Sequence, residues 1–159
     1  MNVELYEKIW MFVAGVLLAV FLGVIVLMTG LEAVEPPGHI ETVDPTTLSS
    51  NPEFGKPVVK AGSDGRVTVP VVASMFEFSP NPIEVPANRP VTFRLTSSDV
   101  MHGFEVVNTN ANAMAVPGYV TQFTLTFTEA GEYVIACNEY CGLQHHNMVG
   151  KLIVTRDRR

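Results

Sequence analysis

The first feature along the chain is a continuous apolar run, in which the twenty residues from Ile9 to Met28 carry no charge. A helix of that length rises about 30 Å, which matches the hydrocarbon core of a bilayer. A cleaved signal peptide usually has a basic head and a shorter apolar core, whereas this head carries Glu4 and Glu7 against Lys8 alone. The pattern therefore predicts one N-terminal transmembrane helix, within an anchor over residues 1–31.

The hydrophobic pattern changes after residue 57, where short runs typical of β-strands begin. Two of these runs alternate cleanly between apolar and polar side chains, and three others are rich in β-branched residues. The five runs are Val91–Thr96 and Phe123–Phe127, then Arg66–Val72, Glu132–Ala136 and Lys151–Val154. Pro, Gly and Asn separate them. Several short strands at this spacing predict an all-β Greek-key sandwich or barrel over residues 58–159.

A proline-rich segment lies between the two regions. Pro36, Pro37, Pro45 and Pro52 fall within residues 32–57. Repeated prolines favour extended chain and disfavour long helices, so this segment is predicted to be a linker. His39 stands alone among the polar residues of this segment, and we expect it to be solvated and not a metal ligand.

Composition and charge narrow the class of protein. The chain has 159 residues, of which 47% are hydrophobic, and its net charge is −6. This size suits one globular domain plus a short extra segment, and the negative charge argues against a nucleic-acid partner. Lys8 precedes the apolar run, and no Lys or Arg follows it until Lys56. The positive-inside rule then places the N-terminus in the cytoplasm and the β domain on the outer side.

The strongest chemical signal is the C-x3-C-x3-H-x2-M pattern near the C-terminus, formed by Cys137, Cys141, His145 and Met148. Soft sulfur ligands together with imidazole favour copper. The x3 spacing also allows a disulfide in an oxidising compartment, but the nearby His and Met favour a metal. These are the only two cysteines in the chain. A mononuclear blue site needs one Cys, whereas two can bridge two coppers.

A further nitrogen ligand is expected from earlier in the chain. His102 precedes Cys137 by 35 residues, follows an alternating run and has apolar neighbours. Such a histidine on its own is more often a hydrogen-bonded core residue, but the downstream cluster favours its assignment as a ligand. Asp99 lies close enough in sequence to hydrogen-bond the site or to serve as a turn residue.

With these residues in view, the chain resembles subunit II of haem-copper cytochrome c oxidases. The resemblance covers the anchor and about residues 70–155, and the single anchor is similar to the B-type branch. It is carried by Phe78–Pro86, Ser97–Phe104, Pro117-Gly118, Gly131–Tyr133 and Cys137–Met148. It implies a cupredoxin-like fold that holds a dinuclear copper centre, CuA.

The resemblance also implies a role for each ligand. Cys137 and Cys141 would bridge both coppers, and His102 and His145 would each terminate one. The weak ligands would be Met148 and the backbone carbonyl of Glu139. His146 does not fit the x3 spacing, so we expect it at the rim of the site.

The function implied is electron transfer in an oxidoreductase complex. The subunit would accept single electrons from cytochrome c, or a similar donor, outside the plasma membrane of a prokaryote. It would pass them to haem in an integral-membrane catalytic subunit I, which reduces dioxygen to water and translocates protons. The Glu139 side chain is a candidate ligand for a magnesium ion at the contact between the two subunits.

Two alternatives remain open at this point. The same copper module would suit a CuA-containing nitric oxide reductase, and the catalytic partner would decide between the two. A membrane-anchored copper chaperone of the thioredoxin-like Sco type also uses C-x3-C and a distant histidine. In such chaperones the histidine follows the cysteines in a βαβ context, whereas His102 precedes them in an all-β context.

Overall fold

The N-terminal part of the chain is one long helix. The computed structural model describes residues 3–32 and 41–156. Helix α1 spans Val3–Glu32. Its segment Glu4–Met28 has a mean hydropathy of 2.9 and is not buried, so by length and composition it is able to cross a membrane. The expected N-terminal apolar helix is confirmed.

The remaining described residues form a compact unit of ten strands and two short 3-10 helices. The 3-10 helices span Pro45–Ser50 and His145–Asn147. The strands are β1 Lys60–Ala61, β2 Val67–Ser74, β3 Glu77–Ser79, β4 Ile83–Pro86, β5 Pro90–Ser97, β6 His102–Val106, β7 Asn112–Ala115, β8 Thr121–Thr126, β9 Gly131–Ala136 and β10 Val149–Thr155.

The strands form two five-stranded sheets. One has the order β1-β2-β5-β8, with β3 also paired to β2, and the other has the order β4-β10-β9-β6-β7. Strands β2 and β5 are parallel, as are β4 and β10, and the other pairs are antiparallel. The predicted all-β sandwich is confirmed.

The core lies between the two sheets. Along β5, the alternate residues Val91, Phe93 and Leu95 are fully buried, as the alternating sequence pattern predicts. Phe93 stacks on Phe123 of the neighbouring strand with ring centroids 5.2 Å apart, and it contacts Phe104 of the opposite sheet at 5.5 Å. This aromatic packing joins the two sheets, and Phe104 lies in β6, two residues after His102.

Each of the five runs named from the sequence lies largely within a strand, but the pattern did not identify β1, β3, β4, β6 or β7. These strands have two to five residues, which is too short for alternation to be recognised. His102, expected after a strand, is itself the first residue of β6. Because β6 pairs with β9 through Glu105 and Ala136, the start of β6, with His102, lies beside the chain where β9 leads into Cys137.

Part of the segment assigned to the linker packs on the β domain. We call residues 41–56 the strap. It contains a 3-10 helix whose N-cap, Asp44, accepts a hydrogen bond from the Thr46 amide at 2.8 Å. Leu48 and Phe54 are 5% and 4% exposed, respectively. The prolines prevent a long helix here without preventing burial: Leu48 lies within the short 3-10 helix, and Phe54 lies in the turn that follows it.

The strap is also held by polar contacts. Val120 N donates a hydrogen bond to the carbonyl of Glu41 at 2.9 Å. The Arg94 guanidinium pairs with Glu53 at 2.7 Å and with Glu41 at 2.6 Å. These ion pairs hold the pKa of Arg94 above its ordinary value. His39, expected to be solvated, lies outside the described residues.

Candidate metal centre

The segment from Cys137 to Met148, which we call the ligand loop, joins two neighbouring strands at one end of the sandwich. Cys137 directly follows β9 and Met148 directly precedes β10. The last ladder pair of these strands is Val149 with Ala136. The Cys137 amide then donates to the Met148 carbonyl at 3.2 Å, which closes the base of the loop. The twelve-residue spacing in the sequence therefore becomes a closed loop whose two ends meet.

Three sulfur atoms meet inside the ligand loop. The Cys137 and Cys141 Sγ atoms are 3.7 Å apart, and Met148 Sδ lies 3.7 Å from Cys141 Sγ. All three side chains are buried, and both cysteines are free thiols. Burial raises the pKa of the Cys141 thiol to about 11, and its contact with Cys137 acts in the same direction. In the metal-free protein this thiol is protonated at neutral pH.

His102 approaches the cysteines from β6. Its side chain is fully buried, and its Nδ1 atom lies 4.0 Å from Cys137 Sγ. The potential donor atoms of His102, Cys137 and Cys141 all lie within 4.8 Å of one another. The other ring nitrogen, Nε2, is 2.7 Å from Asp99 Oδ1. This bond sets Nε2 as the protonated nitrogen and leaves the Nδ1 lone pair directed at the sulfurs.

Asp99 links the buried histidine to a neighbouring loop. Its Oδ2 atom accepts a hydrogen bond from the Met75 amide at 2.7 Å, and Oδ1 accepts one from the Val100 amide at 2.6 Å. Burial opposes ionisation of Asp99, but the hydrogen bonds from His102 and from these amides outweigh it. The pKa of Asp99 therefore lies below its ordinary value. The carboxylate is ionised at neutral pH and acts as an acceptor for His102.

The two adjacent histidines of the ligand loop have different environments. His145 is half-buried, with Nδ1 at 3.6 Å from Cys141 Sγ. The exposed ring of Tyr140 lies beside it, with centroids 5.9 Å apart. His146 is exposed. The 3-10 turn directs consecutive side chains apart, so only the first histidine faces the sulfurs.

Glu139 contributes its backbone to the cluster. Its carbonyl oxygen lies 3.2 Å from Cys137 Sγ, whereas the residue as a whole is exposed. The structure thus brings together all six atoms that the sequence and its resemblance indicate, each within 4.0 Å of a cysteine sulfur.

The donor set fits copper. Metal–thiolate bonds are about 2.3 Å long, so sulfurs 3.7 Å apart can both reach one metal. Thiolate, thioether and imidazole donors are soft to borderline, and a buried set of this composition suits copper better than magnesium or calcium, which select oxygen ligands.

The fold and the donor set together define a copper-binding domain of the cupredoxin type. A family model described as cytochrome c oxidase subunit II, periplasmic domain, matches residues 64–155. A cytochrome c oxidase subunit 2 from Thermus thermophilus is 44% identical over 154 residues, which cover 94% of this chain and 91% of the relative. The chain belongs to the cytochrome c oxidase subunit II family, whose members are electron-transfer subunits of haem-copper oxidases.

Solved structures give the same result at the level of fold. A chain from the cryo-EM structure of a haem-copper terminal oxidase dimer has 30% identity and a TM-score of 0.65, and the match covers 94% of this chain and 99% of that one. The periplasmic domain of subunit II of a Bradyrhizobium japonicum cytochrome oxidase has 19% identity and a TM-score of 0.54, covering 65% and 89%. The second likeness supports the cupredoxin-like fold.

Several residues at the site were not found by sequence reasoning. Tyr140 was not singled out, although its position between the cysteines places it beside the ligand histidine. The side chains of Asn138 and Asn112 are hydrogen-bonded at 3.1 Å across 26 residues of sequence. Gly103 lies under the ligand loop, where a Cβ atom would be 2.8 Å from the Asn138 and Glu139 amide nitrogens. The glycine directly after His102 was the one available signal for such a close approach.

Proposed function

We propose that this chain holds a dinuclear CuA centre and carries electrons, one at a time, from a donor outside the membrane to the catalytic subunit of a haem-copper oxidase. The single observation that carries this proposal is the arrangement of the imidazoles. His102 Nδ1 lies by Cys137 Sγ, whereas His145 Nδ1 lies by Cys141 Sγ. Each sulfur thus has its own neighbouring imidazole, which supports two metal positions that share both sulfurs.

The proposed ligand set divides by strength. Cys137 and Cys141 would supply the bridging thiolates, and His102 and His145 would supply the terminal nitrogen ligands. Met148 Sδ and the Glu139 carbonyl would be the weak ligands, since neutral thioether and amide oxygen donate less charge than thiolate. Bound copper supplies a one-electron redox change at this end of the sandwich.

The protein's contribution is rigidity and exclusion of water. The sulfurs and His102 are buried, and the ladder between β9 and β10 fixes both ends of the ligand loop. Such a site changes little in geometry or solvation when its charge changes, which favours fast electron transfer at a small driving force. The hydrogen bond from His102 to Asp99 and the dry shell around the sulfurs then tune the reduction potential.

The partners follow from the placement of the site. We infer that α1 crosses the plasma membrane of a prokaryote with its N-terminus in the cytoplasm, since Lys8 precedes the apolar run and the next basic residue is Lys56. The β domain then faces the outer side, where cytochrome c or a similar carrier delivers electrons. Exposed apolar residues at or near the ligand loop provide the contact surface: Met75, Met101, Tyr140 and Leu143.

Glu139 has a second proposed role. Glu139 as a whole is exposed, whereas its backbone carbonyl faces Cys137 Sγ. The carboxylate is therefore free to bind a magnesium ion whose other ligands come from the catalytic subunit, because Mg²⁺ prefers carboxylate oxygen. Through this one residue, the ligand loop would also take part in the contact with the catalytic subunit.

The test is metal stoichiometry with spin resonance on the purified chain. The expected result is two coppers per chain and one unpaired electron shared between two copper nuclei. Cys141→Ser should abolish that shared spectrum because it removes one bridge. A four-line spectrum from a single copper in the wild-type protein would contradict the dinuclear proposal.

A further inference from the structure

A pair of asparagines ties the ligand loop to the edge of its sheet. The Asn138 Nδ2 atom donates a hydrogen bond to Asn112 Oδ1 at 3.1 Å. Asn138 lies between Cys137 and Glu139, and Asn112 begins the edge strand β7. Neither asparagine belongs to the proposed ligand set. Their bond spans β6, the strand that lies between β9 and β7 in the sheet.

The register explains how the bond crosses this strand. Glu105 of β6 pairs with Ala136 on one side and with Asn112 on the other. Continuing the antiparallel register by two residues places Gly103 opposite Asn138. A Cβ atom on Gly103 would overlap the Asn138 side-chain oxygen. The absence of a side chain at Gly103 therefore creates the passage through which the Asn138 amide reaches β7.

The segment held in this way carries the Glu139 carbonyl, which is 3.2 Å from Cys137 Sγ. A backbone carbonyl has no rotamer of its own, so its position depends entirely on the chain on either side of it. The Glu139 amide rests on β6, since a Cβ on Gly103 would lie 2.8 Å from its nitrogen. The side-chain bond of Asn138 is a second restraint, one residue before Glu139.

We propose that Asn138, Asn112 and Gly103 form a latch that positions the Glu139 carbonyl against Cys137 and thereby sets the reduction potential of the centre. The three are positioning residues, because they act through the loop and not on the metal. The potential depends on the carbonyl because an oxygen donor stabilises the oxidised state more than the reduced state. Loosening the latch therefore raises the potential. The inference rests on the proposed copper site and adds residues to it.

The experiment compares Asn138→Ala, Asn112→Ala and the double variant, all as full-length chains in detergent. Asn110→Ala is the matched control, since Asn110 is also exposed and lies two residues before Asn112. We expect each single variant to raise the reduction potential and to speed copper loss to a chelator several-fold. The double variant should shift the potential no further than either single variant, because both remove the same bond. The control should match the wild type.

A second measurement needs no copper. In the metal-free chain, the amides of residues 138–139 should exchange with deuterium several-fold faster in both single variants than in the wild type or in Asn110→Ala. Amide exchange tests the latch independently of the copper proposal, since the measurement remains valid even if the wild-type chain forms no dinuclear centre. Gly103→Ala should have the same effect by displacing the loop. The latch proposal would be overturned if both asparagine variants had the reduction potential and exchange rates of the wild type. Additive shifts of the potential in the double variant would also overturn it.

Discussion

Asp99 Oδ1 lies 2.7 Å from His102 Nε2, and on the opposite side of the same ring Nδ1 faces Cys137 Sγ at 4.0 Å. His102 is fully buried, so its ring orientation is determined by these contacts and by packing. His145, half-buried beside Tyr140, has an aromatic neighbour where His102 has a carboxylate. The two imidazoles of the site are therefore chemically unequal, and the more deeply buried one is the more strongly oriented.

Replacing Asp99 by Ala should weaken the site without removing a ligand. The change deletes the acceptor that fixes the His102 tautomer, and loss of such a partner typically costs about 10–100-fold in metal affinity. Copper affinity is measured by chelator competition, and the site geometry by the visible spectrum. Asp64→Ala is the control, because Asp64 is exposed and pairs with Arg66 at 3.5 Å. Unchanged affinity and spectrum in Asp99→Ala would show that packing alone orients His102.

The two adjacent histidines provide a test of register. His145→Ala should disrupt the copper spectrum because Nδ1 of His145 lies 3.6 Å from Cys141 Sγ. His146→Ala should leave the spectrum largely intact because His146 is exposed. The two variants are matched in size and chemistry and differ by one position. The opposite outcome would place the ligand at residue 146.

Glu139→Gln separates the backbone role of this residue from its side-chain role. Because the carbonyl and not the carboxylate faces Cys137 Sγ, the variant chain should keep the wild-type copper spectrum. Activity should fall only in the assembled oxidase, through the proposed magnesium contact. The measurements are the spectrum of the purified subunit and the oxygen consumption and magnesium content of the complex. Copper loss from the isolated variant would indicate that the carboxylate itself is required.

The strap should contribute to the stability of the β domain. Phe54 is 4% exposed, and Phe54→Ala should cost about 3 kcal/mol in the free energy of unfolding through lost burial and the cavity left behind. The nearby Val58 is 59% exposed, and Val58→Ala should change stability by less than about 0.5 kcal/mol. Denaturant unfolding measures both. Equal stability of the two variants would mean that residues 41–56 behave as a linker.

Electron delivery should depend only weakly on salt. From Lys56 onward the chain has nine Lys or Arg and nine Asp or Glu, so the domain is nearly neutral, and steering over a distance needs a patch of one sign. Leu143 is 89% exposed on the ligand loop. Leu143→Ala should lower the second-order rate with cytochrome c and preserve the copper spectrum, whereas Val134→Ala, on the outer face of β9, should change neither.

Stopped-flow rates at low and physiological ionic strength measure this dependence. A change of less than about twofold is expected for an apolar contact, since screening acts on charges. A several-fold drop with salt would point instead to an acidic surface that the linear order of residues does not reveal.

The sequence alone determined the parts of this protein that depend on local pattern. The apolar run from Ile9 to Met28 was sufficient to predict a helix able to cross a membrane, because its length and lack of charge are properties of consecutive residues. Alternation and β-branched content identified the longer strands for the same reason. The spacing of Cys137, Cys141, His145 and Met148 indicated copper, because a single loop carries all four side chains.

The tertiary structure decided what depends on pairing between distant segments. The alignment of β6 with β9 and β7 places His102 beside Cys137 and Asn112 within reach of Asn138, and no local pattern contains that register. The prolines of residues 32–57 predicted an extended linker, yet Phe54 is buried and Glu53 pairs with Arg94 of β5, because burial depends on the surface that a segment meets. Local composition sets which chemistry a chain can perform, whereas the register between strands sets which side chains share one site.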